Sequence, residues 1–164
     1  MPEKETEKEK LTIVVFSGDL DKALAAFIIA TTGASMGMDV TMFFTFWGLN
    51  IIKSNEGRMT GKGFKQKMFS LLNKGGTRRL KLSRFNMWGL GTWMMKLVMK
   101  DNRYPSIDEF IKTATEMGVK MIPCSTTCGM FGLTESSFRS GVEDIAGAAF
   151  FLGEARKSKV TLFI

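Results

Sequence analysis

Leu11-Thr-Ile-Val-Val-Phe16-Ser-Gly-Asp19 is a near-continuous apolar, β-branched run that breaks into a serine–glycine–aspartate turn. The run lacks the apolar–polar alternation of a strand with one wet face, and predicts a strand buried on both faces of a parallel sheet. Leu, Ala, Phe and Ile dominate positions 20–30, which read as a helix ending near Met36-Gly37. A strand, a glycine turn and a helix invite a nucleotide-binding reading, but G-x-G-x-x-G and G-x-x-x-x-G-K-[ST] are both absent. The simpler reading is an N-capped helix whose first N–H groups can hold an anion, with Ser17 and Gly18 at its mouth.

The same rhythm recurs along the chain. Val40-Thr-Met-Phe-Phe-Thr-Phe46 predicts a second strand, and Trp47-Gly48-Leu49-Asn50 falls at its carboxyl end, as core or as the wall of a pocket. Residues 119–122 and 160–164 predict two more strands. Ser106 and Glu109 have the spacing of a capping box, and Phe110, Ile111, Ala114 and Met117 form the apolar face of the helix they start. Residues 134–138 read as a short helical turn, and residues 143–156 as a longer helix with Ile145, Ala148, Ala149 and Leu152 at helical spacing. Strands alternating with helices predict one α/β domain over residues 10–164, a three-layer α/β/α arrangement around a mainly parallel sheet of about five strands. Residues 1–9, a Glu/Lys-rich leader, are expected to be disordered. In such sheets ligands and chemistry collect at the carboxyl ends of the strands.

Both cysteines lie in Met121-Ile-Pro-Cys-Ser-Thr-Thr-Cys-Gly-Met-Phe-Gly132. Histidine is absent from the chain, which excludes Cys–His couples, Ser-His-Asp triads and His-containing metal sites. Cys124 falls just past a strand and beside a helix start, where free N–H groups favour a thiolate. Ser125, Thr126 and Thr127 add hydroxyl donors, with Gly129 following. The alternative is two small buried hydrophobes. Cys128 shares a helix face with Cys124 if the segment is helical, about 5.4 Å of rise away, close to disulfide reach. The spacing is not C-x-x-C, two thiols make a weak zinc site, and neither metal nor cofactor is expected.

Two cysteines in 164 residues cannot form a disulfide scaffold, and the N-terminus has no apolar signal-peptide core, so a reducing, cytoplasmic setting is expected. The formal charge of +7 is unevenly placed. Residues 53–103 carry thirteen Lys and Arg against Glu56 and Asp101, so that segment is +11 and the remainder −4. This basic amphipathic insert, residues 53–104, interrupts the strand–helix rhythm. Phe64, Met68, Leu71 and Leu72 form a helical apolar stripe among Lys62, Lys65, Lys67 and Lys74. Residues 87–99 carry Trp88, Trp93, Met94, Met95, Leu97 and Val98 with Lys96 as the single charge, too short a run to span a bilayer. A flap or subunit contact, or peripheral membrane contact through residues 61–100, each fits such a segment. Nucleic acid is not expected, because bases for stacking would call for interleaved aromatics.

These segments also carry a resemblance. Phe16-Ser-Gly-Asp-Leu-Asp-Lys-Ala, Met38-Asp-Val-Thr-Met-Phe-Phe-Thr-Phe-Trp-Gly-Leu-Asn50, Met87-Trp-Gly-Leu-Gly-Thr-Trp-Met-Met95, Gly118-Val-Lys, Cys124 through Gly132 and the closing Leu-Phe-Ile resemble, in order, the DsrE/DsrF-like family, in its branch with a basic, Met-rich insert. The resemblance runs from about Lys10 to Ile164. It implies a sulfur carrier, sulfurtransferase-like rather than a turnover enzyme. Such proteins hold sulfur as a cysteine persulfide or thiosulfonate and exchange it with TusA-like and rhodanese-like partners, often as homo-oligomers. Cys124 falls at the family's sulfur-bearing position. Cys128 stands where relatives commonly show Met, and Gly129 where they commonly show Asp. No Thr-x-x-Cys peroxidatic motif is present, so peroxidase activity is not expected. A non-catalytic docking subunit and a Cys124/Cys128 dithiol redox protein are the alternatives.

Overall fold

The computed structural model describes residues 8–56, 61 and 63–164. Four strands, β1 (Lys10–Val15), β2 (Asp39–Phe44), β3 (Lys120–Pro123) and β4 (Val160–Phe163), form one parallel sheet in the order β3-β2-β1-β4. Val15 pairs with Phe44, and Phe44 with Pro123, so the carboxyl ends of β1, β2 and β3 are level. Most of the leader expected over residues 1–9, and Lys62 of the basic stripe, lie outside the described residues.

β1 is buried on both faces, which is why its sequence does not alternate. One face is covered by α1 (Leu20–Ser35) and α5 (Ile107–Glu116), which pack on each other. In α1 the buried residues Leu20, Ala23, Ala26, Phe27, Ala30 and Gly33 make one helical stripe. Phe27 meets Phe44 at 6.3 Å between ring centroids, both fully buried. Each such aromatic contributes about 2–3 kcal/mol of burial, so truncating Phe27 or Phe44 to Ala strikes the centre of the fold. α5 begins with the expected capping box: Glu109 N–H donates to Ser106 Oγ, and Ser106 N–H to the Glu109 carboxylate.

The opposite face is thinner. The helix expected over residues 143–156 is only α7 (Ala148–Ala155), and no residue of it is buried. Residues 143–146 are instead drawn out along β3: Glu143 N–H donates to Met121 C=O, Ala146 N–H to Pro123 C=O, and Ser125 N–H to Ala146 C=O. A single bridge, Cys124 with Ala146, marks this segment, which takes the place of a fifth strand beside the four. Backbone hydrogen bonds to an open strand edge outweigh the helical spacing of Ile145 and Ala148. β4 is apolar as expected, yet it lies largely uncovered at the sheet edge, with Phe163 70% exposed.

α2 (Leu49–Ile52) precedes the insert, which itself forms α3 (Phe64–Leu72) and α4 (Leu90–Asp101) with short 3-10 turns between them. The apolar stripe Phe64, Met68, Leu71 and Leu72 of α3 faces solvent, while Ser70 is buried and Phe69 half-buried. α4 likewise exposes Leu90, Trp93, Met94 and Val98, beside a fully exposed Trp88. Among the described residues no helix is long and apolar enough to cross a membrane.

Candidate functional site at Cys124

Cys124 is the residue between β3 and α6 (Ser125–Phe131), its backbone extended at φ −74° and ψ 121°. Its N–H donates to Phe44 C=O and its C=O accepts from Cys128 N–H, which locks it between the central strand and the first turn of α6. The thiol is 5% exposed and packs with Phe43, Ile122, Ala146 and Phe151. Burial pushes the Cys124 thiol up, but four donors outweigh it: the Thr127 N–H, the Thr45 and Thr127 hydroxyls and the Thr126 N–H. The net result holds Cys124 below the usual thiol value.

Cys128 differs. It is 2% exposed, lies in the main core, and burial followed by the charge of Cys124 pushes it up to about 12. The two thiols do not share a face as the helical spacing suggested. Cys124 is the N-cap, and its extended backbone takes the side chain out of the i, i+4 row into the opposite apolar cluster. Lys53 is the cation nearest in effect to Cys128. It is 6% exposed, its Nζ donates to Asn73 C=O at 3.1 Å, and burial lowers it to about 8 against the pull of Cys128. Among the described residues no group of three or more His, Cys, Asp or Glu is placed to hold a metal ion.

The other sequence-designated residues divide into those beside Cys124 and those elsewhere. Thr126 and Thr127 help lower the pKa of the Cys124 thiol. Ser125 is exposed, and Gly129 faces the insert, its C=O accepting from Gln66 Nε2 at 3.2 Å. Ser17 is turned inward, donating to Asp19 Oδ2 at 2.9 Å. Asp19 occupies the N-cap of α1 without a side-chain cap bond, because its carboxylate is taken by Ser17 and Lys22. The insert closes this helix start: Leu20 N–H donates to Lys81 C=O, and Asp21 accepts from Ser83.

Gly18 and Gly48 serve close packing. A Cβ on Gly18 would sit 2.6 Å from Trp47 O, and one on Gly48 2.0 Å from Val15 O. Trp47 is neither core nor free: half-exposed, its ring lies 6.0 Å from Phe131 of α6 and 6.3 Å from Phe69 of α3. Phe69 and Phe131 meet at 4.7 Å, so α3 is anchored on the cysteine helix. Asn50 donates at 2.8 Å to Oδ1 of Asn73 in the insert, the residue whose C=O also accepts from Lys53.

Thr45, Phe46 and Lys53 are the residues that sequence reasoning missed. Thr45 reads as one more β-branched strand residue, although a hydroxyl at a strand's carboxyl end was a usable signal. Phe46 holds a left-handed φ of +46°, a strained corner, and its N–H donates to Thr127 Oγ1 at 3.4 Å. Nothing in the sequence marks Lys53 as the buried cation among the described residues of its segment.

Residues 7–163 match the sequence profile of the DsrE/DsrF/DrsH-like family, and the chain belongs to that family. It is 40% identical over 156 residues to the protein YrkE of Bacillus subtilis (strain 168), covering 95% of this chain and 97% of that one. It is 36% identical over 168 residues to the sulfur carrier protein DsrE2 of Allochromatium vinosum, covering 96% and 99%. The crystal structure of the ychN protein from E. coli superposes with a TM-score of 0.53 at 12% identity, covering 95% of this chain and 99% of that chain, which shows the α/β fold alone.

Proposed function

We propose that this protein is a cytoplasmic sulfur carrier that holds sulfur on Cys124 and passes it to a partner protein. The observation that carries the reading is the place of Cys124 at the carboxyl end of β3 as the N-cap of α6, where hydrogen bonding from Thr45, Thr126 and Thr127 holds its thiol below the usual value despite burial. The likeness to a protein named a sulfur carrier supports the same reading.

In the proposed step the Cys124 thiolate attacks the terminal sulfur of a persulfide donor. A new S–S bond forms to Cys124 as the donor's S–S bond breaks, and the donor leaves as a thiolate that takes up a proton. No net electrons change hands, and an acceptor thiolate discharges the carrier by the same exchange in reverse. With tetrathionate the thiolate attacks an inner sulfur, the central S–S bond breaks, thiosulfate leaves, and a thiosulfonate remains on Cys124. A perthiol is more acidic than a thiol, so the donors from Thr45, Thr126 and Thr127 serve the loaded form as well.

TusA-like or rhodanese-like proteins are the proposed exchange partners, and a homo-oligomer the proposed assembly, for which the uncovered β4 edge and α7 offer a surface. Incubating the loaded protein with a TusA-like acceptor and following the sulfur to the acceptor tests the transfer. Retention of all sulfur on Cys124 counts against it.

A second reading rests on the outward apolar side chains of α3 and α4 beside Lys65, Lys96 and Lys100. In it the insert docks the protein on a partner or on an anionic membrane surface. Sedimentation with anionic vesicles that weakens with added salt is the expected signature; indifference to vesicles removes the membrane form of it.

A further inference from the structure

A cavity of about 570 Å³ lies between the insert and the start of α5, and it shares no lining residue with the cysteine site. α1 leaves the carboxyl end of β1 and α5 runs back to the amino end of β3, so Leu20 and Ile107, which both line it, place it at the carboxyl end of the sheet. Four cations, Arg78, Lys96, Lys100 and Arg103, line this cavity. Among the described residues none of them has a carboxylate within 4.0 Å. The two acids present are engaged elsewhere. Asp108 pairs with Arg139 at 2.6 Å and accepts from Thr77, and Glu109 is spent on Ser106 in the cap of α5. Leu20, Met99 and Tyr104 supply an apolar wall.

The backbone gives an independent sign. α4 ends in a Schellman motif, with Arg103 N–H donating to Lys100 C=O and Tyr104 N–H to Met99 C=O. The left-handed position of that motif ordinarily belongs to glycine, yet here it is Arg103, at φ +52°. An arginine held where glycine is the relaxed choice, at the rim of a cavity with three further unneutralised cations, points to a use for its guanidinium.

We propose that this cavity binds a small phosphorylated ligand of the nucleotide class, its phosphates held by Arg78, Lys96, Lys100 and Arg103 and its base against Tyr104 and Met99. The size suits such a ligand, and arginine forks match phosphate oxygens two at a time. The site stands apart from the Cys124 chemistry and survives or fails independently of it.

The test is calorimetric titration of the full reduced chain with ATP and, separately, with inorganic tripolyphosphate. Arg103→Gly is the discriminating variant, because glycine is the natural occupant of that backbone position and leaves the fold at least as stable. The expected result is saturable ATP binding, weaker tripolyphosphate binding, and a loss of about tenfold or more in ATP affinity in Arg103→Gly, with no fall in Tm. Lys100→Ala is expected to weaken ATP binding in the same direction. Absence of ATP binding, an unchanged affinity in Arg103→Gly, or equal binding of tripolyphosphate overturns the proposal.

Discussion

The hydroxyls of Thr45 and Thr127 lie 3.0 Å apart, one at the carboxyl end of β2 and the other in the first turn of α6, and their hydrogen bonding helps hold the Cys124 thiol below its usual value. Residues 82 positions apart in sequence thus converge on one sulfur. This arrangement lowers the pKa of the buried cysteine in a chain that has no histidine.

Removing either hydroxyl therefore raises the Cys124 pKa. Thr45→Val and Thr127→Val each take away one donor while keeping the branched shape. The midpoint of iodoacetamide alkylation against pH is expected to move upward in either variant. An unshifted midpoint in both contradicts the role given to these residues.

Lys53 links the buried thiol of Cys128 to a pH-dependent stability. Its folded pKa of about 8 lies below the ordinary value of 10.5, so between those limits the unfolded chain binds the extra proton and stability rises with pH. Raised Cys128 acts oppositely between its ordinary value of 9.0 and about 12, an overlapping window present in both wild type and Lys53→Met, because there the unfolded chain releases its proton first. The variant Lys53→Met removes the first contribution. Wild type is expected to gain on the order of 2 kcal/mol relative to the variant between about pH 8 and 10.5, read by urea unfolding at each pH. Parallel stability curves for the two proteins remove Lys53 from this role.

The strand ends meet through glycine. In Gly48→Ala the new methyl collides with the Val15 carbonyl, and a loss of about 3 kcal/mol or more is expected on denaturant unfolding. Gly153→Ala in α7 makes a direct contrast, since nothing lies within 4 Å of its Cβ position, and it is expected to stabilise by about 0.5–1 kcal/mol. Equal effects of the two substitutions contradict the packing described at Gly48.

Phe69 ties the insert to the cysteine helix through Phe131, aided by Gln66 on the carbonyls of Gly129 and Met130. Phe69→Ala is expected to release α3, costing about 1–2 kcal/mol and speeding hydrogen exchange in α3 without changing exchange in β1. Unaltered exchange in α3 indicates that other contacts hold it.

Much of this arrangement was legible in the chain. The unbroken apolar runs at β1 and β2 gave their burial, Ser106 and Glu109 gave the start of α5, and the hydroxyl-rich segment after β3 singled out Cys124. What escaped depends on contacts between distant segments. Residues 143–146 have helical spacing but were claimed by the edge of β3, a competition that periodicity does not register. The stripe of α3 is regular, yet Phe69 and Gln66 found partners on α6 and left the stripe in water. The pairing of Thr45 with Thr127 needs the register of β2 against β3, and the opposed placement of the two thiols follows from one backbone angle at Cys124.

The central claim is that Cys124 alone carries sulfur. Intact-mass measurement of the reduced protein after incubation with polysulfide or tetrathionate, beside Cys124→Ser and Cys128→Ser, addresses it most directly. The expected result is a reductant-reversible gain of sulfur in wild type and in Cys128→Ser that is absent from Cys124→Ser. Sulfur retained by Cys124→Ser, or a loss of two hydrogens in wild type that requires both cysteines, contradicts it.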